Sequence, residues 1–387
     1  MSKRFIHISD LHLGYSAWIE PANDDVRNLW KASDEYKTKC ILEVVNYIKK
    51  FQKDKKSQIF SAVIITGDVI ELQNKALKKG LTEAFRKGLQ ILEPLFKVCH
   101  TLNIPIIAIC GEHDFAMGSE PSDHNGIPPK WPTGSDSSLK GYPNVHFFHE
   151  SGFSVDPNRF NGLKIGWIPG RQKGGHAKVA DWPDELDIVM MHAEKSGLLT
   201  QNGKKVKCAY LACGHLHELE VKWTNSRMVG RPGHLYSDFD GKGKAWPTGF
   251  LDVKIGKQVS IQLFRAKERL LKVEPTEQGY NVYGLRSFVQ DSRSSIDYKT
   301  YKMEQKKTIP WKGASAIKED YDTFSLNGKS HRELLLDIAT HHKTNLFLFE
   351  YKRTQSPSSK QKVVLTGKDL SELLRKSAAL LLEEDTI

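Results

Sequence analysis

The first 265 residues alternate short apolar runs with longer segments whose apolar positions recur every three or four residues. The run Ala62–Ile65 is continuously apolar rather than alternating, so both faces of that strand must be covered. This alternation predicts an α/β fold, a layered core of β-sheets flanked by helices. The predicted strands are Phe5–Ile8, Ile59–Ile65, Ile104–Ile109, Val145–Phe148, Leu163–Ile168, Ile188–Met191 and Ala209–Cys213.

Two amphipathic helices are predicted between the first three strands. One carries a single apolar stripe, formed by Tyr36, Cys40, Val44, Tyr47, Ile48 and Phe51. The other covers Lys75–Leu92 and is expected to end because Pro94 follows.

Two later stretches break this alternation. Residues 116–143 are rich in Pro, Gly, Ser and Asp and lack periodicity, which predicts a long exposed loop. Phe250–Ile255 and Val259–Phe264 are separated by a short turn containing Gly256, which predicts a β-hairpin.

The character of the chain changes after about residue 266, where residues 286–320 are polar and irregular. The pattern in this region predicts a helix near Ser330–His341, strands at Asn345–Tyr351 and Val363–Leu365, and a final helix after Thr366. The sequence therefore predicts two domains, a core over residues 1–265 and a smaller α+β appendage over residues 266–387.

Composition narrows the class of protein. The chain of 387 residues has a formal net charge of +11, which favours polyanionic partners such as nucleic acid. We expect a soluble, cytoplasmic protein, since no apolar run is long enough for a signal peptide or a membrane span. The five cysteines form no Cys-x-x-Cys pair, which is typical of reduced thiols rather than of a disulfide framework.

The candidate chemistry follows the apolar strands. Ligands of layered α/β sheets gather at the carboxyl ends of the strands, so side chains distant in sequence should converge there. Spacing by two residues, as in Asp10 and His12 or His215 and His217, would point both side chains to one side of an extended segment. The convergent set is Asp10, His12, Asp68, Glu112, His192, His215 and His217.

This mixture of imidazole and carboxylate is typical of Mn, Fe or Zn sites and differs from a calcium cage or an all-sulfur site. One bridging carboxylate would let the set hold two ions, and two ions can stabilise both oxygens of an in-line displacement. Any one of these residues could serve a purely structural role, and only their joint position at strand ends predicts a metal site. His100 and the pair His341 and His342 lack that context and are expected to be structural or exposed.

The order of these motifs along the chain resembles that of the calcineurin-like metallophosphoesterases. The motifs are Asp-x-His, Gly-Asp, Gly-x-His-Asp, a lone His after an apolar strand, and Gly-His-x-His. The opening segment Phe5–Gly14 is similar to the SbcD-type DNA-repair exonuclease branch. Three later segments are similar to the same branch: Tyr210–His217, the run Arg231-Pro-Gly-His, and the segment beginning at Thr248.

The resemblance implies roles for the convergent residues. Asp10, His12, Asp68 and His217 would hold one ion, and His113 would act as the acid toward the leaving group. Asp68, Glu112, His192 and His215 would hold the other. The ions would be two divalent cations, with Mn²⁺ expected first and Mg²⁺, Fe²⁺ or Zn²⁺ as alternatives. The resemblance also implies DNA as a partner, with an SMC-like coiled-coil ATPase and a homodimer as further possibilities and no membrane partner.

Two positions depart from the family pattern. Position 112 is Glu where the family usually has Asn, so an extra negative charge enters the site while an oxygen donor is kept. Position 71 is Glu where the branch often has Asp or His, which bears on the positioning of substrate.

Three functions follow from these features. The leading one is a two-metal-dependent DNA nuclease, exonucleolytic or endonucleolytic, acting in DNA repair or processing. The second is a phosphodiesterase or phosphatase for a small substrate such as a cyclic nucleotide, which the positive charge disfavours. The third is a non-catalytic subunit that keeps the metallophosphoesterase fold, which the Glu at position 112 favours.

Overall fold

The strands and helices were located in a computed structural model of the chain. The described residues are 3–14, 24–53, 60–72, 81–114, 137–139, 141–170, 181–192, 200–201, 204–217, 220–224, 227–235, 249–265, 271–276, 279–284, 296–297, 320–325, 327–328, 346–352 and 360–366. None of the helices in these ranges is long and apolar enough to cross a membrane.

An eight-stranded mixed sheet forms the first layer of the core. Its central strands run parallel to one another, and they are β1 (Lys3–Ile8), β2 (Ala62–Thr66), β3 (Ile106–Ile109) and β5 (Tyr142–Phe148). Strand β14 (Gly249–Ile255) pairs with β1 in the antiparallel sense. In the order in which they lie across the sheet, its strands are β18 (Ile296–Asp297), β15 (Val259–Arg265), β14 (Gly249–Ile255), β1 (Lys3–Ile8), β2 (Ala62–Thr66), β3 (Ile106–Ile109), β5 (Tyr142–Phe148) and β4 (Ser137–Leu139).

A six-stranded mixed sheet forms the second layer. Four of its strands are parallel, namely β7 (Ile165–Ile168), β8 (Glu185–Met191), β11 (Lys207–Cys213) and β13 (Arg227–Arg231). The carboxyl ends of β8 and β11 therefore lie at one edge. In spatial order its strands are β12 (Glu220–Thr224), β13 (Arg227–Arg231), β11 (Lys207–Cys213), β8 (Glu185–Met191), β7 (Ile165–Ile168) and β6 (Gly152–Ser154). The strands β9 (Thr200–Gln201) and β10 (Lys204–Lys205) form a separate pair.

Alternate residues of the strands bury their side chains on opposite faces. Phe5 of β1 packs between the two sheets, whereas Ile6 and Ile8 pack into the core that includes the helices. Those helices are α1 (Asp24–Lys53) and α2 (Leu81–Thr101). The predicted α/β class, with sheets flanked by helices, is confirmed.

Helix α2 does not end where the sequence predicted. It continues through Pro94 to Thr101, because Leu95, Phe96 and Cys99 beyond the proline are buried in the core. Burying each large apolar side chain contributes about 1.5–3 kcal/mol. Together these exceed the roughly 3 kcal/mol that a proline costs within a helix.

Other predicted elements differ at their ends. The predicted loop 116–143 was wrong at its carboxyl end, where Ser137–Leu139 pairs with β5 as strand β4; residues 116–136 lie outside the described part of the chain. The predicted hairpin is confirmed, since β14 and β15 are antiparallel. The five cysteines are all buried and free of disulfides.

The described residues beyond 266 form mainly a five-stranded sheet, and β18 joins the first sheet beside β15. The two predicted strands in this region are confirmed as β20 (Leu346–Lys352) and β21 (Lys360–Thr366). The predicted helices at Ser330–His341 and after Thr366 lie outside the described residues. The division into residues 1–265 and 266–387 stays a prediction. In spatial order the sheet contains β19 (Asp320–Ser325), β17 (Gly279–Gly284), β16 (Leu271–Thr276), β20 (Leu346–Lys352) and β21 (Lys360–Thr366).

Candidate metal centre

The loops after β1 and β2 are joined by backbone hydrogen bonds. The amide of Asp10 donates to the carbonyl of Gly67 at 3.2 Å, and the amide of His12 donates to the carbonyl of Asp68 at 2.8 Å. These bonds fix the two strand ends against each other. The first two polar motifs therefore meet at one edge of the sheet, as predicted.

The first group of possible ligands surrounds Asp10. One ligand atom from each of Asp10, His12, Asp68 and His217 lies within 4.8 Å of the others. The carboxylates of Asp10 and Asp68 are buried, as is His12, while His217 lies on the more open side. This group matches the four residues that the family resemblance assigned to one ion.

The second group joins the ends of β3, β8 and β11. Nε2 of His192 lies 2.7 Å from Oε2 of Glu112, and Nδ1 of His215 lies 2.5 Å from Oε1 of the same carboxylate. Asp68 reaches this group too, because its Oδ2 is 3.3 Å from Nε2 of His192.

Asp68 is thus common to both groups. Its Oδ2 lies 3.7 Å from Nε2 of His12 on one side and 3.3 Å from Nε2 of His192 on the other. A carboxylate placed between two sets of ligands is the arrangement that a pair of ions sharing one bridging ligand requires.

The local backbone differs from the expected extended segments. Asp10, His12 and His215 have φ angles of 51°, 42° and 75°, so the spacing argument for Asp10 and His12 and for His215 and His217 was wrong. The side chains converge because tight turns follow the strands. Asp68 also has a positive φ, of 49°. In the described part of the chain, every other non-glycine residue with a positive φ is an Asn, the residue that tolerates this region best.

Two glycines allow this crowding. A Cβ atom at Gly67 would lie 2.1 Å from Nδ1 of His192, and one at Gly111 would lie 2.1 Å from Oδ1 of Asp68. Real side chains do not approach so closely, so only glycine lets the loops close around these two groups.

The imidazoles are oriented by acceptors behind them. Nδ1 of His192 lies 2.8 Å from the carbonyl oxygen of Thr66, and Nδ1 of His12 lies 2.9 Å from Oε2 of Glu71. Because these oxygens accept, each Nδ1 carries the proton and each Nε2 presents a lone pair to the cluster. Metal-binding histidines are held in this way by acceptors behind them.

His113 lies at the border of the two groups. Its amide donates to Oδ1 of Asp68 at 2.9 Å, and its Nδ1 lies 3.0 Å from Oε1 of Glu71. Burial lowers the pKa of His113, but Glu71 and the neighbouring carboxylates outweigh it and raise that pKa to about 9. Glu71 therefore supports both His12 and His113, a role that the sequence left open.

Burial and charge act against each other on the carboxylates. Burial raises the pKa of Asp10 to about 6 against the pull of His192. Burial also acts to raise the pKa of Asp68, but His192 and His12 overcome it and hold that pKa well below its usual range. The pKa of Glu112 is likewise lowered against burial by His192 and His215.

Two residues near the site were missed by the sequence reasoning. Asp114 is buried, and its carboxylate accepts from the amides of Ile70 and Gly111 at 2.7 Å each, which joins the second and third loops. His234 follows β13 and forms a possible ligand group with His12 and His217. The signal for His234 was its place after Arg231-Pro-Gly at a strand end.

The residues fit a pair of divalent cations. The ligand set mixes imidazole with carboxylate, the glycines leave room, and Nε2 of His12 is buried without a hydrogen bond from any described residue. His100, by contrast, is exposed at the end of α2 and bonded to Asn144 at 3.1 Å, as expected for a histidine outside the site.

The chain is similar to solved structures of Vps29 proteins at low sequence identity. Among solved structures, vacuolar protein sorting 29 from Cryptosporidium parvum is 15% identical over 77% of this chain and 99% of that chain, with a TM-score of 0.31. Vps29 complexed with zinc from Entamoeba histolytica is 14% identical over 68% of this chain and 92% of that chain, with a TM-score of 0.26.

No curated protein matches the sequence. The family described as calcineurin-like phosphoesterase matches residues 3–219, which is more than half of the chain and contains every predicted ligand. The chain therefore belongs to the calcineurin-like phosphoesterases, a family that uses divalent metal ions.

Proposed function

We propose that this protein is a two-metal-dependent phosphodiesterase that cleaves DNA. The observation that carries the proposal is the position of Asp68, whose Oδ2 lies within 3.7 Å of Nε2 of His12 and 3.3 Å of Nε2 of His192. One ion would be held by Asp10, His12, Asp68 and His217, and the other by Asp68, Glu112, His192 and His215. When bound, the ions would supply a nucleophilic hydroxide and stabilise charge on the phosphate oxygens.

His113 is the proposed acid toward the leaving oxygen. The carboxylate of Glu71 accepts the proton of its Nδ1, so Nε2 carries the proton that can be transferred. A pKa of about 9 keeps the imidazole protonated at neutral pH. About a third of the side chain, 34%, is exposed, which leaves it open to a substrate.

DNA is the proposed substrate because of charge and resemblance. A net charge of +11 favours a polyanion over a small anionic ester. The strand-end segments Phe5–Gly14 and Tyr210–His217 resemble those of the SbcD-type nucleases. Mn²⁺ is the proposed ion. An SMC-like ATPase partner and a second copy of the chain remain further proposals of the same resemblance.

The test is digestion of single-stranded and double-stranded DNA with added Mn²⁺, beside a chromogenic phosphodiester. We expect the wild-type protein to degrade DNA. The rate of His113→Ala should be lower by a factor of about 10²–10⁴, the usual contribution of a general acid. Metal uptake by the variant should be unchanged. Cleavage of the small ester without DNA degradation would instead support the small-substrate phosphoesterase.

One observation favours a second candidate, a non-catalytic subunit of this fold. Glu112 lies 2.7 Å from His192 and 2.5 Å from His215, so these three groups can neutralise one another without an ion. This candidate predicts that the protein cleaves neither DNA nor the small ester even after it has taken up metal.

A further inference from the structure

His234 lies close to the first group of possible ligands, although the family resemblance assigns it no role in metal binding. It follows strand β13 and is buried, with 4% of its surface exposed. One ligand atom from each of His12, His217 and His234 lies within 4.8 Å of the others. The same His12 and His217 also group with Asp10 and Asp68.

The ring of His234 faces these histidines closely. Its centroid lies 3.8 Å from that of His217 and 5.5 Å from that of His12. Three imidazoles this close repel one another if protonated, whereas neutral imidazoles can all donate lone pairs to one cation. The packing therefore favours a shared cation at this point.

The tautomer of His234 supports the same conclusion. Its Nδ1 lies 2.8 Å from the carbonyl oxygen of Asp10, and a carbonyl can only accept, so Nδ1 carries the proton. In the neutral ring the lone pair is then on Nε2. His192 and His12 follow the same scheme, with Nδ1 bonded to Thr66 and to Glu71. His234 is thus oriented as those two proposed ligands are.

We propose that His234 is a third imidazole ligand of the first ion, together with Asp10, His12, Asp68 and His217. The inference rests on the two-metal site of the proposed function and extends its ligand set. Because imidazole ligands suit zinc and iron better than magnesium or manganese, this ion should be the more zinc-like of the two.

The test uses the full-length protein stripped of metal and titrated with Zn²⁺ by calorimetry and with Co²⁺ by visible absorption. The variant is His234→Asn, whose side-chain amide can still donate to the Asp10 carbonyl but has no second nitrogen donor. We expect the affinity of one ion to fall at least about tenfold and the cobalt spectrum to change. Unchanged affinity and an unchanged spectrum would show that His234 only positions the Asp10 loop.

Two matched variants calibrate the result. His217→Ala removes a residue of the same ligand group and should lower the affinity for the same ion. His100→Ala removes an exposed histidine whose imidazole is bonded to Asn144, outside the ligand groups, and should change neither measurement.

A crystal structure of the zinc-loaded wild-type protein keeps the inference testable if the variant does not fold. Nε2 of His234 should lie about 2.0–2.1 Å from one ion. Two bound ions without a bond to His234 would overturn this inference and leave the two-metal proposal intact. A wild-type protein that takes up no metal would overturn both.

Discussion

Glu71 lies with Oε1 3.0 Å from Nδ1 of His113, so the carboxylate accepts the proton of the proposed acid. Its other oxygen, Oε2, lies 2.9 Å from Nδ1 of His12. One carboxylate thus orients both a proposed metal ligand and the proposed proton donor. Although burial acts to raise the pKa of Glu71, the hydrogen bonds from the two histidines lower it to about 2, so this carboxylate is charged throughout the neutral range.

Glu71→Gln should narrow the pH range of activity. The protonated form of His113 is required, and its pKa of about 9 depends on the charge of Glu71. Without that charge the pKa should fall toward its ordinary value, so activity should decline with rising pH from about 7 rather than from about 9. The measurement is kcat/KM against pH on the chromogenic phosphodiester.

The matched control for this experiment is Glu93→Gln, which removes an exposed carboxylate paired with Lys97 on α2. Its pH profile should follow that of the wild type. An identical profile for Glu71→Gln, with metal content unchanged, would contradict the role of Glu71.

Glu112→Asn should weaken the binding of one ion. The substitution restores the residue usual in the family but removes a negative charge beside His192 and His215. An amide oxygen is a weaker ligand than a carboxylate, so we expect roughly a tenfold loss for the second ion, about 1.4 kcal/mol. Glu112→Ala, which has no donor oxygen, should lose more. Calorimetric titration of the metal-free protein measures both, and tighter binding by Glu112→Asn would contradict the expectation.

Gly67→Ala should abolish binding of the second ion. A Cβ atom there would lie 2.1 Å from Nδ1 of His192, which must move away from Asp68. Gly141→Ala is the control, because Gly141 has nearly the same φ, +90° against +89°, but no atom within 4 Å of the added carbon. Both variants should lose about 1 kcal/mol of stability to backbone strain. Only Gly67→Ala should lose metal, measured by elemental analysis after dialysis.

Stability should fall between pH 7 and pH 5 through His7, a buried histidine between the two sheets. Its nitrogens are bonded to Tyr210 at 2.8 Å and Thr66 at 2.9 Å, and burial lowers its pKa to about 3. Below its unfolded pKa of about 6.5, only the unfolded chain takes up the proton. Unfolding is then favoured by about 2 kcal/mol at pH 5.

Urea unfolding of the wild type and of His7→Gln at both pH values measures this effect. The variant should be less stable at pH 7 but should lose less stability on acidification. Equal losses for both proteins would contradict the prediction, because they would mean that His7 takes up no more protons in the unfolded chain than in the folded one.

The sequence determined the elements and the identity of the candidate ligands. Runs such as Ala62–Ile65 and Ala209–Cys213 are apolar enough to indicate buried strands, and polar motifs directly after them indicate where strands end. The same reasoning failed at Pro94, because local helix preference takes no account of the buried side chains that carry α2 onward to Thr101. Burial between layers is a property of the assembled fold.

What only the tertiary structure decided is how those side chains meet. Asp10 and His12 converge through residues with positive φ and not through strand alternation. Asp68 lies between the two groups because hydrogen bonds join the loops after β1, β2 and β3. His234 joins them from a strand more than two hundred residues away from Asp10, a distance of 224 positions. Sequence patterns report local periodicity, whereas contacts of this range depend on which strands lie side by side and on where each loop turns.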